Sequence, residues 1–217
     1  PQTIRQGLYL STTSVGITAS TIPVRRAGNA IRGTMSRMSG RVQRVQGSLF
    51  LPEPVAAAVQ AIRAEFDPYS AGVIRPHITV LYENELSQSG SWTDDLSNWV
   101  STRSSFRVEL SKPRLWSDQP ADGIYLGVAD VEKGISSLRN HFVTKGAFHQ
   151  SDLDYVPHVT LCHARRVDPT LAIRAWNYLE ALGSFGGCTI DRMSLIRTSY
   201  GIWREVAHFE FRRLEGD

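Results

Sequence analysis

Cysteine is scarce in this chain. Cys162 and Cys188 are the only two in 217 residues. Two thiols build no disulfide framework and fit a reducing compartment, with one bridge across a 26-residue loop as the single alternative. Long apolar runs are absent too. No stretch reaches the roughly 18 residues that a membrane-spanning helix needs, and the N-terminus lacks the apolar core of a secretory signal. An intracellular, cytoplasmic protein is expected. The first residue is Pro, so a trimmed or excised chain is expected as well.

Acidic residues are missing from one end. Residues 1–52 carry seven arginines and no Asp or Glu, a charge of +7, and the remainder carries −4. Residues 1–44 are therefore read as a basic N-terminal extension, and residues 45–217 as the main domain. Arginine pairs bidentately with phosphate, so this arm is a candidate contact for nucleic acid. A solvated face or contact with another chain is the plainer reading, and acid-free, Arg- and Ser-rich composition also fits a transit peptide.

What is present has the periods of a mixed fold. "LYLST" (8–12) and "VQGSLFL" (45–51) read as strands. Val55, Val59, Ile62 and Phe66 share one face of a helix that opens at Glu53-Pro54. Further helices are predicted in "WTDDLSNWVST", "VEKGISSLRNHFV" and "PTLAIRAWNYLEAL", the last running from Pro169 to Gly183. Strands are predicted at 77–82, in "SFRVELSKPRLW" with a break at Pro113, in "GIYLGVAD", and at 156–162. "CTIDRMSLIRTS" and "WREVAHFEFRR" close the chain as an antiparallel pair. Each half holds similar parts, which predicts an α+β fold with two similar lobes.

One tetrapeptide is written twice. "RPHITVLYE" (75–83) and "VPHVTLCHA" (156–164) both contain Pro-His-x-Thr within a strand. Shuffling this composition yields roughly 0.02 such motifs per chain, so the pair is not an accident of abundance. Strand alternation puts His77 and Thr79 on one face and Ile78 and Val80 on the other; His158 and Thr160 likewise oppose Val159 and Leu161. The apolar partners anchor each strand, and an imidazole and a hydroxyl look out together. Two such strands facing each other supply two imidazoles and two hydroxyls. Displacement at phosphorus needs a proton removed from the nucleophile and another delivered to the leaving oxygen. Histidine can do either near neutral pH. Threonine hydroxyls can hold the non-bridging oxygens in line. No metal or other cofactor is required.

"PHITV" and "PHVTL", about 80 residues apart, resemble the two-histidine phosphoesterase superfamily, which includes RNA 2′,3′-cyclic phosphodiesterases and bacterial RNA 2′,5′-ligase-like proteins. The likeness covers roughly residues 45–212. It implies a bilobal α+β fold of two antiparallel sheets with flanking helices, related by a pseudo-twofold axis around a central groove. It implies metal-independent hydrolysis or transesterification of cyclic phosphates or 2′,5′ linkages, commonly yielding a 2′-phosphate; hydrolysis of a nucleotide or RNA-terminal 2′,3′-cyclic phosphate is the reading taken. By position it implies His77 and His158 as the catalytic pair and Thr79 and Thr160 as phosphate binders. Either histidine could serve as base; His158 as base and His77 as acid is the assignment taken here, apart from the resemblance. The substrate would be an RNA end or small nucleotide. Cyclic or 2′,5′-linked signalling oligonucleotides form a second class, and a non-catalytic RNA-binding module is the reading from outside enzymology. Many bacterial members follow the second motif with Ala-Arg, where this chain has Cys162-His163. They often carry a lysine after the first, where Leu81 and Tyr82 stand. Both departures bear on substrate.

Other residues carry weaker signals. Tyr155 and Tyr200, and after them Tyr82 and Trp116, are candidates to stack on a base. Arg75, which precedes the first motif, is a candidate phosphate contact, followed by Arg114 and Arg197. His141, His149 and His208 read as structural. Zinc at His158, Cys162 and His163 is disfavoured. The first two lie about 13 Å apart along one strand face, and the third faces the other way.

Overall fold

The computed structural model describes residues 44–83, 85–86, 92–144, 155–163, 167–199 and 201–213. The chain divides into two units, Pro1–Gly40 and Arg41–Asp217. The expected strand at 8–12 and nearly all of the basic extension lie outside the described residues, as do His149 and Tyr200.

The elements follow the order β1 (Arg44–Phe50), α1 (Val55–Phe66), α2 (Pro68–Val73), β2 (His77–Leu81), α3 (Trp92–Ser101), β3 (Phe106–Leu115), β4 (Ile124–Ala129), α4 (Gly134–Thr144), β5 (His158–Cys162), α5 (Pro169–Leu179), β6 (Gly186–Ile190), β7 (Arg192–Ser199) and β8 (Ile202–Glu210). The class is α+β, as expected. The strands form one eight-stranded antiparallel sheet in the order β6-β3-β4-β5-β2-β1-β7-β8. This replaces the two sheets expected from sequence, because the motif strands β2 and β5 pair with each other at Ile78↔Val159. Outward from that seam the order reads β5, β4, β3, β6 on one side and β2, β1, β7, β8 on the other.

The closing segment also differs from expectation. "CTIDRMSLIRTS" is two strands: β6 pairs with β3, and β7 pairs with β1 and β8. Only Asp191 separates them, although they sit far apart in strand order. The sheet must therefore curve enough to bring its flanks within one residue's reach. At β3 the expected break at Pro113 is a register shift between Leu110 and Pro113, which accommodates the missing N–H without ending the strand.

Leu49, Ile78, Val159 and Leu126 are consecutive cross-strand partners on β1, β2, β5 and β4, and none is more than 1% exposed. Burying each contributes about 1.5–3 kcal/mol. Helices cover this face in a crossed manner: α1 packs on β5, and α4 packs on β2. In α1 the buried face is Ala56, Val59, Arg63 and Phe66, rotated from the apolar stripe predicted. Arg63 can turn inward because its guanidinium donates to the carbonyls of Ile74 and Ser70, both at 2.9 Å. Helix α5 starts as predicted, with Asp168 accepting from the N–H groups of Thr170 and Leu171, but stops at Leu179, short of Gly183.

Candidate active site

The face opposite the core carries the motif side chains. The register Ile78↔Val159, taken one residue each way, sets His77 beside Thr160 and Thr79 beside His158. Adding the outer strands gives two rows across β1-β2-β5-β4. One is Phe50, His77, Thr160, Tyr125; the other is Ser48, Thr79, His158, Gly127. The imidazoles occupy one diagonal of a square and the hydroxyls the other, with alpha carbons across a diagonal about 7–8 Å apart. All four motif residues are half-buried, while Ile78, Val80, Val159 and Leu161 are fully buried.

Both histidines are held in the same way. Nδ1–H of His77 donates to the Arg75 carbonyl at 2.9 Å, and Nδ1–H of His158 donates to the Val156 carbonyl at 2.8 Å. A carbonyl oxygen only accepts, so the proton sits on Nδ1 and each neutral ring keeps its lone pair on Nε2. The strands are shaped alike too. Each outer pairing shifts register just beyond the threonine, between Gly47 and Ser48 opposite β2 and between Ile124 and Tyr125 opposite β5. Such bulges bend a strand and re-aim its side chains.

Beneath the motifs, the residue five after each histidine donates its backbone N–H to a carboxylate. Tyr82 donates to Glu85 and His163 to Asp67, both at 2.9 Å. Arg139 of α4 donates to both oxygens of Glu85, at 2.9 and 2.8 Å, and to the Val80 carbonyl at 2.6 Å. On the other side, Arg63 of α1 is the buried cation interacting with Asp67. Strand β2 is thus pinned from below by Arg139 on the helix that packs against it, and the backbone just beyond β5 by Asp67, whose charge faces Arg63 of α1.

The surroundings of the two rings differ. His77 meets Phe50 edge-on, with Trp203 at 6.3 Å between centroids. Gln46 lies against it, its amide nitrogen 3.4 Å from His77 Nε2 and 2.9 Å from Ser48 Oγ. Burial pushes the His77 imidazole from its ordinary 6.5 down to about 4; its bond to Arg75 opposes this, and the charges of Arg63 and His158 add to it. His158 stands edge-on to Trp116 at 4.7 Å and to Tyr125 at 5.8 Å, and those two rings stack on each other at 4.1 Å. Burial lowers its pKa as well, opposed by the Val156 bond.

The remaining sequence candidates separate by position. Arg75 is exposed, and its guanidinium lies over Phe50, the neighbour of His77. Arg114 crosses Gly127, the cross-strand partner of His158. Trp116 is 43% exposed beside His158. These three are at the site. Tyr155 is committed to packing: its hydroxyl donates to the Thr79 carbonyl at 3.0 Å, Arg139 sits 3.9 Å over its ring, and Tyr82 meets it edge-on. Arg197 pairs with Val45 and Arg204, on the alternate positions of β7 from those in register with Gln46 and Ser48. Cys162 is buried, its thiol pushed up to about 12 by that burial, while His163 is exposed. Gln46, Tyr125 and Trp203 were not singled out from sequence. Their signal is cross-strand position, which exists only once the register is known.

The fold is similar to several solved structures. The protein TT0787 of Thermus thermophilus aligns with a TM-score of 0.55 at 16% identity, and E. coli LigT complexed with 3′-AMP with 0.54 at 17%. A crystal structure of a phosphoesterase gives 0.53 at 16%. In each case 78% of this chain and 98% of the other is covered. No curated protein matches the sequence. The family model described as "2'-5' RNA ligase superfamily" matches residues 51–201, a span that contains both Pro-His-x-Thr strands and the seam between them. The chain therefore belongs to the 2′-5′ RNA ligase superfamily of two-histidine phosphoesterases.

Proposed function

We propose that this chain is a metal-independent phosphodiesterase that opens nucleotide or RNA-terminal 2′,3′-cyclic phosphates, leaving a 2′-phosphate. The supporting observation is the Ile78↔Val159 register, which sets two imidazoles and two hydroxyls around one point, with the proton of each neutral ring held on Nδ1 and the lone pair on Nε2. A phosphate at the centre of the square receives hydrogen bonds from Thr79 and Thr160. Water attacks phosphorus and gives its proton to one Nε2. The P–O3′ bond breaks, and the departing oxygen takes a proton from the other Nε2. The stronger depression of His77 keeps its ring neutral at rest and favours it as base, with the Gln46 amide, 3.4 Å from Nε2, giving way as the proton arrives. His158 is then the acid, its imidazolium favoured by the bound phosphate anion. This reverses the assignment taken at the outset, His158 as base and His77 as acid.

A second reading has its own support. Trp116, exposed and stacked on Tyr125 beside His158, is a platform for a nucleoside on the far side of the phosphate. A 2′,5′-linked or cyclic oligonucleotide would use it; a terminal cyclic phosphate would not. E. coli LigT, which shares the fold, has been solved with 3′-AMP bound, consistent with a nucleotide ligand here. The test is turnover of cyclic-phosphate RNA, nucleoside 2′,3′-cyclic phosphates, 2′,5′-oligoadenylate and cyclic dinucleotides. His77→Ala and His158→Ala should each lower the rate on the accepted substrate about 10²–10⁴-fold while the protein stays folded. Full activity in either variant removes that residue from the mechanism. Salt-sensitive RNA binding with no turnover of any substrate would make the chain a binding module.

A further inference from the structure

The row that carries Thr79 and His158 continues away from the motif square. Thr79 pairs with Ser48, Ser48 with Ser194 and Ser194 with His208, across β2, β1, β7 and β8. Ser48 and Ser194 are 0% exposed and Gln46 beside them 5%, so three uncharged polar side chains are buried in one line. Buried polar groups are kept in a fold by hydrogen bonds, and the direction of each bond here follows from its donors. The line ends on charge. Glu205 of β8 accepts from Ser194 Oγ at 2.9 Å and has His208 Nδ1 at 3.4 Å. A carboxylate only accepts, so the one hydroxyl proton of Ser194 is committed to it. Toward Ser48, its cross-strand partner, Ser194 therefore presents lone pairs. Ser48 accepts an N–H from the Gln46 amide at 2.9 Å, which leaves its own proton to turn toward those lone pairs. At the other end the same amide nitrogen stands 3.4 Å from His77 Nε2, which carries a lone pair because the ring proton sits on Nδ1.

We infer that Glu205 is a positioning residue for His77: by holding the Ser194 proton it polarises the line, so that the Gln46 amide meets the imidazole with its N–H and not with its carbonyl. The two ends of an amide have nearly the same shape and differ in hydrogen bonding. A hydroxyl such as that of Ser48 can accept from one end or donate to the other, so Gln46 and Ser48 alone leave both orientations open. The reversed amide would set its carbonyl against the Nε2 lone pair and would suit a charged ring. A negative charge at the far end of the line breaks this symmetry. The charges that face the imidazole from other elements, Arg63 of α1 and His158 of β5, also disfavour a proton there, and His208 is the titratable group against Glu205. The role of His77 as base rests on the phosphodiesterase reading; the direction of the line does not.

Glu205→Gln keeps the shape and lets either end of the side chain face Ser194. Its direct electrostatic effect, the loss of a negative charge, would make His77 harder to protonate. Release of the Gln46 amide would make it easier, so the two effects have opposite signs. In an NMR titration the His77 midpoint, near 4 in wild type, should rise by about 0.5 pH in E205Q, a roughly threefold gain in proton affinity. Cross-relaxation between the Gln46 amide protons and the His77 ring protons, measured near neutral pH, should weaken in the same variant. Ser194→Ala should repeat both changes, and it decides the matter should E205Q fail to fold. Gln46→Met removes the amide, and in that background E205Q should no longer raise the midpoint, since residues acting through one link are not additive. Where a substrate is turned over, the acid limb of kcat/KM should follow the His77 midpoint; with no turnover the catalytic reading fails and the titrations still decide the line. A midpoint that falls or stays in place in E205Q and S194A, or one that still rises with Gln46 absent, overturns the inference and leaves the catalytic reading intact.

Discussion

His77 is expected to stay neutral far below the pH at which histidine usually gains a proton, and this has a measurable cost in acid. In the unfolded chain the ring titrates near 6.5; in the folded chain burial holds it at about 4. The folded state therefore disfavours the charged form. The stability contributed by the neutral ring is complete above about pH 6.5 and is lost as pH falls from 6.5 towards 4, where the folded protein protonates too. At 1.36 kcal/mol per pH unit the full difference is about 3 kcal/mol. Between about pH 7.5 and about pH 4.5 the loss works out to about 2.5 kcal/mol. The perturbation is His77→Asn, whose side-chain amide can replace the Nδ1–H bond to the Arg75 carbonyl but cannot titrate. Urea unfolding of wild type and H77N at both pH values gives the comparison, because carboxylates and the other histidines titrate in both proteins and cancel. Wild type should lose about 2–3 kcal/mol more than H77N. NMR titration of the His77 ring should show a midpoint near 4. A midpoint near 6.5, with equal acid losses in the two proteins, would refute the claim that burial governs this imidazole and with it the choice of His77 as base.

Two further expectations concern the scaffold. Arg139→Met leaves the Glu85 carboxylate, 1% exposed, without its bidentate partner, and should cost about 3–5 kcal/mol in chemical denaturation; R139M/E85L should recover much of that, since it removes the uncompensated charge. Gly47→Ala would drive a methyl group into Met193 Cε and bring it to 2.9 Å from Leu81 Cγ, and should cost about 1–3 kcal/mol by the same measurement as strands β1 and β2 are forced apart.

The parts of the molecule legible in the sequence are those that depend on local period. The duplicated tetrapeptide marked both central strands, the 3.6-residue spacing marked α1 and α4, and Pro169 marked the start of α5. Pairing was not legible. Whether β2 and β5 lie in two sheets or one depends on a single seam at Ile78↔Val159, and no feature of either strand taken alone specifies its partner. The same limit hid Gln46 and Trp203, which reach His77 from β1 and β8, 31 and 126 residues away in sequence. Arg63 defeated the helical reading for a different reason. A charged residue on a buried face is ordinarily expelled, and here carbonyls in and just after α2 retain it. Tyr155 shows the opposite error: an aromatic near a motif suggests a ligand platform, yet its hydroxyl is spent on the Thr79 carbonyl and its face on Arg139.

A duplicated motif poses a chemical difficulty that the surrounding residues address. General acid–base catalysis by two histidines needs one ring charged and the other neutral in the same complex. Identical environments would give identical affinities for the proton and no preference between roles. In this molecule the repeated features are positional: the His-x-Thr alternation, the Nδ1 bond to the residue two before, the bulge beyond the threonine, and the N–H five residues on that is held by a carboxylate. The unrepeated features are electrostatic and aromatic. His77 has the Gln46 amide and the charge of Arg63 nearby, both of which oppose a proton on Nε2. His158 instead faces the edge of the stack of Trp116 on Tyr125, with the Trp exposed. In the proposed mechanism repetition aims the two rings at one phosphate, unlike neighbours separate their pKa values, and that separation would divide the labour of acid and base. On this reasoning, exchanging the roles requires changing the neighbours, Gln46 first, while the histidines themselves stay as they are.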